Sequence, residues 1–307
     1  MSEIDAIQLN FNPASLQFLS LMLALVMFGV ALDMRPDNFK QILRAPVAFG
    51  IGLFSQYVLL PAVAFATTLA LDTPASISLG ILLVCTCPGG NVSNFFTHYS
   101  GGNAALSVSM SSVSTLACIV MTPLNFSFWA TQREDTAALL QTIHIDPVAI
   151  VLQVLIILLL PCVLGMLLRH HRPQLADKLK RPCNIFSILL FIGFIGGGLA
   201  ANWQIFMDYI GATFWIVVMV NAFALTAGYQ FARLFGLGQA ERKAVSFEVG
   251  IQNTGFGLIL SFAFFSQLGG MALVNAWWGI WHLISGLVLA SLWRRRSKLQ
   301  AGATVGA

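Results

Sequence analysis

The chain has 307 residues, 57% of them hydrophobic and only 9% charged, with a formal charge of +4. A soluble domain carries about 25% charged residues, so a chain this apolar cannot cover a water-exposed surface, which excludes a soluble globular protein. The basic residues sit in short flanks between apolar runs, which also excludes a nucleic-acid-binding face.

The sequence begins Met-Ser-Glu-Ile-Asp. With no basic segment ahead of an apolar core, it does not read as a cleaved signal peptide, and the first apolar run is expected to anchor the chain itself. Nine membrane elements are predicted in order: 15–34, 43–71, 74–98, 103–128, 147–169, 184–203, 209–234, 239–268 and 271–293. The third is interrupted by a Pro-Gly-Gly run and the eighth by a polar stretch. Helices rather than barrel strands are expected, because segments such as 150–160 are apolar on every side and lack the alternation of a porin strand. Cys85, Cys87, Cys118 and Cys162 lie inside apolar segments and Cys183 at the start of one, so they read as small buried side chains.

Topology follows from charge. With the N-terminus outside, Arg35, Lys40 and Arg44 fall inside after element one, and Arg169, Arg172, Lys178, Lys180 and Arg181 after element five. Arg233, Arg242 and Lys243 follow element seven, and Arg294, Arg295, Arg296 and Lys298 follow element nine. Together these are 15 of the 16 basic residues; only Arg133, beside Glu134 and Asp135, falls outside. This bias predicts a multi-pass protein of the cell inner (plasma) membrane with a cytoplasmic C-terminus.

Elements one to four (15–128) and six to nine (184–293) form two sets of four, each with a break in its third member. Element five (147–169) links them, so the second set is inverted. Inverted repeats with broken helices at matching positions are the recurring plan of secondary transporters.

The first break reads Cys87-Pro88-Gly89-Gly90-Asn91-Val92-Ser93-Asn94. Proline and paired glycines weaken a helix, and the polar residues suit an unwound segment turning freed carbonyls towards an ion. The second break spans 246–255 and holds Glu248, the one acidic residue placed deep in a membrane element. Inserting it costs several kcal/mol unless the charge is compensated. A bound cation does so directly; a protonated carboxyl holding helices together is the structural alternative. Gln252 shares a face with Glu248 if the helix continues. With Asn253 close by, the oxygen-rich setting suits a hard ion such as sodium, although a proton is compatible with the same residues.

Gln56 stands in the middle of element two. Ser107 and Ser111 lie one turn apart in element four and can face one point, whereas Ser109, Ser112 and Ser114 read as packing residues. His282 in element nine reads as packing rather than gating. With no Lys or Arg at mid-depth, a small organic anion would be held by helix-end N–H groups and the amides of Asn94 and Asn253.

These motifs resemble the bile acid:sodium symporter family, in the nine-helix form of its bacterial members. The resemblance is carried by Cys87–Asn94, by Gly102-Asn103-Ala104-Ala105-Leu106-Ser107-Val108-Ser109, and by Phe247-Glu248-Val249-Gly250-Ile251-Gln252-Asn253. Trp281-His282 with Ile284-Ser285-Gly286 extends it to the last element. The resemblance implies an all-α inverted-repeat transporter with panel and core domains and two discontinuous helices crossing at mid-membrane. It implies two sodium ions. Ser93, Asn94, Ser107, Ser111 and Glu248 would hold the first; Gln56, Glu248, Gln252 and the carbonyls of Val249 and Ile251 would hold the second. Asn94, Asn253, Thr254 and His282 would meet the substrate, a pantoate-like monocarboxylate or a bile-salt-like anion. Ser111 stands where the family commonly has Thr, and Leu283 where relatives often have Asn.

Two rivals follow from the same residues. A metalloid permease of the related fold would use Cys87, and a membrane receptor or structural protein would carry no flux. An enzyme is not expected, since no His-Glu-x-x-His pattern or activated serine dyad is present. The expected partners are the lipid bilayer and a small organic anion, with no nucleic acid and no obligate protein partner.

Overall fold

The computed structural model describes residues 3–6, 14–33, 42–142 and 147–305. The chain is an all-α polytopic membrane protein. Its helices are α1 (Ala14–Asp33), α2 (Pro46–Ala70), α3 (Ala75–Thr86), α4 (Asn91–Tyr99), α5 (Ala104–Ala130) and α6 (Glu134–Thr142). They continue with α7 (Pro147–His171), α8 (Pro173–Ala201), α9 (Trp203–Leu234), α10 (Gln239–Gly250), α11 (Thr254–Phe264) and α12 (Gly269–Val305). Among the described residues, four stretches are long and apolar enough to span a bilayer as single helices: Pro46–Ala70, Ala104–Ala130, Thr213–Leu234 and Gly269–Ser297.

Each of the nine expected elements coincides with a helix or, at the two breaks, with a pair. Several boundaries move. Helix α8 starts at Pro173 and carries Pro182 inside it, and α9 starts at Trp203, so the polar linkers expected before them are helical. Helix α6 was not expected; it is too short to cross a bilayer and buries Thr136 and Leu139. Arg35 and Lys40 lie outside the described residues.

Both breaks are narrower than the sequence suggested. The first is confined to residues 87–90, so Asn91, Ser93 and Asn94 belong to helix α4. The second is confined to residues 251–253, so Glu248 rides on helix α10. The reason is that each broken helix restarts as soon as its backbone groups find partners elsewhere.

Two groups of helices are distinguished by their densest packing, and they meet where α5 lies against α7 and α1 against α11. Helix α1 lies along α7 and α8, with Gly165 letting α7 close onto Phe28 and Ala31. Arg169 ties this group together, donating to the Leu32 carbonyl at the end of α1 and to Asp177 of α8. The second group holds α2 to α5 and α9 to α12, where the broken pairs are enclosed.

Helix α2 shows how local sequence places a candidate site side chain. Pro61 has no N–H to give the Tyr57 carbonyl. The helix widens into a π turn over Ser55–Leu59, and Asn125 donates to Tyr57 O at 2.6 Å. Single π turns often mark functional positions; this one carries Gln56 inward, fully buried.

Candidate functional site

The two breaks run antiparallel through each other. Gly90 N–H donates to Ile251 O at 2.8 Å, and Asn253 N–H donates to Pro88 O at 2.9 Å, so Gly89 and Gln252 form a two-residue bridge. The crossing needs glycine. A Cβ on Gly90 would stand 2.9 Å from Gln252 O, and one on Gly89 would stand 2.2 Å from Glu248 Oε1.

Carbonyls at the ends of buried helices need donors, and here side chains supply them. Thr122 Oγ1 donates to Thr86 O (2.6 Å) and Gln56 Nε2 to Cys87 O (2.7 Å). On the other helix, Asn221 Nδ2 donates to Gly250 O (2.7 Å) and Gln252 Nε2 to Val249 O (2.7 Å). Each of these carbonyls accepts one hydrogen bond and keeps a second lone pair.

Glu248 is buried in a nest of hydroxyls. Its Oε2 accepts from Ser93 (3.1 Å) and Ser111 (2.7 Å), and its Oε1 accepts from Ser114 (3.1 Å). Asn94 Oδ1 accepts from Ser107 (2.7 Å) and lies 3.2 Å from Ser111 Oγ. The Ser111 hydroxyl therefore stands within bonding distance of two acceptors and has one proton to give. All five residues expected to form the first cation site share this network. Among its described bonds every polar contact is oxygen to oxygen, which is the donor set of a hard cation.

Ser114 corrects the sequence reading, which assigned it to packing. Three residues beyond Ser111, it lies on the same helix face. Ser109 and Ser112 turn back to their own helix, onto Ala105 O and Val108 O, and Ser114 Oγ stands 3.2 Å from Ser111 O as well as facing Glu248.

The residues expected for the second site also meet. Gln56 and Gln252 form a reciprocal amide pair: Gln56 Nε2 to Gln252 Oε1 at 2.9 Å, and Gln252 Nε2 to Gln56 Oε1 at 3.1 Å. Gln252 shares no helix face with Glu248, since α10 ends at Gly250; its Nε2 reaches back to Glu248 O at 3.3 Å. Ile251 O is the acceptor for Gly90.

The four residues expected at the substrate differ in their surroundings. Asn94 faces the serines. Asn253 caps α11, its Oδ1 accepting from Phe256 N at 3.1 Å. Thr254 is buried facing Gly279 of α12, and His282 is buried on α12 with no hydrogen-bond partner for Nδ1 among the described residues. Asn91, at the first turn of α4, is exposed beside the crossing. Sequence reasoning passed over Asn221 altogether, because a lone Asn in an apolar helix carries no pattern.

Comparison with known proteins is consistent with this geometry. Residues 20–209 match the model described as the Sodium Bile acid symporter family. The chain is 30% identical over 286 residues to the uncharacterized sodium-dependent transporter YocS of Bacillus subtilis, covering 93% of this chain and 86% of that protein. It is 27% identical over 274 residues to the probable sodium/metabolite cotransporter BASS2, chloroplastic, of Oryza sativa, covering 89% of this chain and 63% of the rice protein's length. It is 29% identical over 239 residues to the human ileal sodium/bile acid cotransporter, covering 77% of this chain and 66% of that protein.

Proposed function

Because this chain belongs to the sodium bile acid symporter family, we propose that it carries a small organic anion across the membrane together with sodium, by alternating access. The observation that carries this reading is the all-oxygen nest around Glu248, set where two broken helices cross. A buried carboxyl with no Lys or Arg among its described partners is stabilised by an incoming cation.

In this reading the first sodium takes Ser93, Asn94, Ser107, Ser111 and Glu248. The second takes Gln56, Glu248, Gln252 and the Val249 and Ile251 carbonyls. The Gln56–Gln252 amide pair must open for the second ion, so that ion replaces an existing interaction instead of adding to a vacant one. Sodium at both positions draws the crossing together and completes a site for the anion. That site lies at the N-terminal ends of α4 and α11, where first-turn N–H groups favour a carboxylate. The exposed Asn91 amide and the capping Asn253 stand there, with Thr254 and His282 behind. Asn94 acts through the first cation rather than on the anion. The substrate class is a pantoate-like monocarboxylate or a bile-salt-like anion.

The architecture that goes with this function is two inverted repeats over 15–128 and 184–293, linked by 147–169, in one transporter domain of nine helices of the bacterial type. Helices α1, α7 and α8 make the panel, and the crossing helices belong to the core that moves against it. The dense packing of α1 along α7 and α8 supports the division. The protein lies in the cell inner membrane with its N-terminus outside and its C-terminus cytoplasmic, as the distribution of basic residues supports.

The test is sodium-stimulated uptake of small organic acids into vesicles reconstituted with wild type or Glu248→Ala. Uptake is expected to depend on sodium in the wild type and to vanish in the variant. Undiminished sodium-driven uptake by the variant would overturn the assignment.

A further inference from the structure

We infer that Asn221, oriented by Ser285, is a positioning residue for cation binding: it holds the carbonyl end of α10, and with it Glu248, at the crossing. The inference rests on the sodium-coupled reading above.

Helix α10 ends at Gly250, two residues beyond Glu248, and its last carbonyls have no intrahelical donors. Asn221 of α9 is fully buried and donates from Nδ2 to Gly250 O at 2.7 Å. A carbonyl can only accept, so the NH2 group must face Gly250 and Oδ1 must face away. There Oδ1 accepts from Ser285 Oγ of α12 at 2.6 Å. The amide is therefore fixed at both ends, between two helices of the second half of the chain.

Its surroundings leave little freedom. One turn along α9, Leu225 fills the space a Cβ on Gly250 would need, at 2.3 Å, and Ser246 Oγ donates to Leu225 O at 2.7 Å. Two turns along, Gly228 lets Val249 approach. Three consecutive contacts thus set α10 against α9 over its last turn, and Asn221 alone among them engages the open end of the helix.

The first half of the chain has the same device. Gln56 of α2 donates to Cys87 O, just past the end of α3, as Asn221 of α9 donates to Gly250 O at the end of α10. In both halves an amide from the helix before the broken pair meets the end of its first member. The two differ in what lies beyond. The remaining groups of Gln56 engage Gln252 inside the crossing, whereas the remaining oxygen of Asn221 is taken by Ser285. Asn221 therefore acts on the cation through α10 rather than as a ligand.

The test uses sodium itself as probe. Thermal unfolding of purified protein is followed while sodium replaces potassium at constant ionic strength, for wild type, Glu248→Gln, Asn221→Ala and Ser285→Ala. Wild type is expected to be stabilised by sodium and Glu248→Gln not to respond. Asn221→Ala should need about tenfold more sodium to reach its midpoint while still being stabilised at saturation. Ser285→Ala, which keeps the Gly250 bond but frees the amide, should need about threefold more. A lowered Tm in potassium with an unchanged sodium midpoint in Asn221→Ala would overturn the inference and leave a purely structural residue. Should Asn221→Ala not fold, Ser285→Ala decides: an unchanged midpoint refutes the inference. Absence of any sodium response in the wild type would instead overturn the sodium-coupled reading and this inference with it.

Discussion

Gly89→Ala is the sharpest perturbation available at the crossing, because it adds one methyl group and removes nothing. That methyl would stand 2.2 Å from Glu248 Oε1 and 2.5 Å from its carboxyl carbon. Moving from 2.2 Å to even 3.0 Å, the closest approach real Cβ atoms make, requires a retreat of 0.8 Å. Such a retreat is enough to stretch the 3.1 Å bonds from Ser93 and Ser114 out of range. A hydrogen bond to a charged group contributes about 1.5 kcal/mol at the low end, so losing two costs about 3 kcal/mol, or about 100-fold in affinity. The alternative is for the backbone at Gly89 to move, which breaks the Gly90–Ile251 and Asn253–Pro88 pairing at a cost of the same order. The assay is equilibrium binding of radiolabelled sodium to purified protein, with Gly50→Ala as control, since a Cβ there meets nothing within 4 Å. Sodium affinity in Gly89→Ala equal to that of wild type, in folded protein, would refute the placement of the carboxyl against this turn and the reasoning built on it.

Four further outcomes are expected. Ser114→Ala removes one of three hydroxyls from Glu248 and should weaken sodium binding about fivefold, read in the same binding assay. Gln56→Ala deletes one partner of the amide pair and the donor to Cys87 O, so sodium titration of uptake should shift to higher concentration and become less steep. Asn91→Ala should raise the anion concentration needed for half-maximal uptake while leaving sodium binding without substrate unchanged. Arg133→Ala acts elsewhere. Its guanidinium donates to Thr68 O, Thr73 O, Ser78 Oγ and Asp135. Its loss should cost about 2 kcal/mol, seen as a lower Tm by the same amount in sodium and in potassium.

Much of the helical layout was legible because the bilayer permits so few alternatives. Apolar runs with internally satisfied backbones must be helices, and the two breaks announce themselves through Pro88 with its glycines and through Glu248. The residues proposed for the first cation site could be gathered from the Ser107–Ser111 spacing and the family resemblance. Three things escaped. Ser114 looked like packing because hydroxyls usually bond back to their own helix, as Ser109 and Ser112 do. Asn221 had no motif around it. The breaks were drawn too wide, because composition shows where a helix is weak but not how soon a donor from another helix lets it resume.

The sequence alone determined which segments are apolar, where their continuity fails and which carboxyl stands in an apolar setting, since these depend on residue type and local periodicity. Only the tertiary structure decided that the two weak points pass through each other and pair backbone to backbone. It also decided that Thr122, Gln56 and Asn221 supply the donors the interrupted helices lack, and that three serines from two helices converge on Glu248. The physical reason is that a buried polar group must find a partner somewhere, and that partner lies between 29 and 155 residues away in these contacts. Chain chemistry states the requirement; packing selects the residue that meets it.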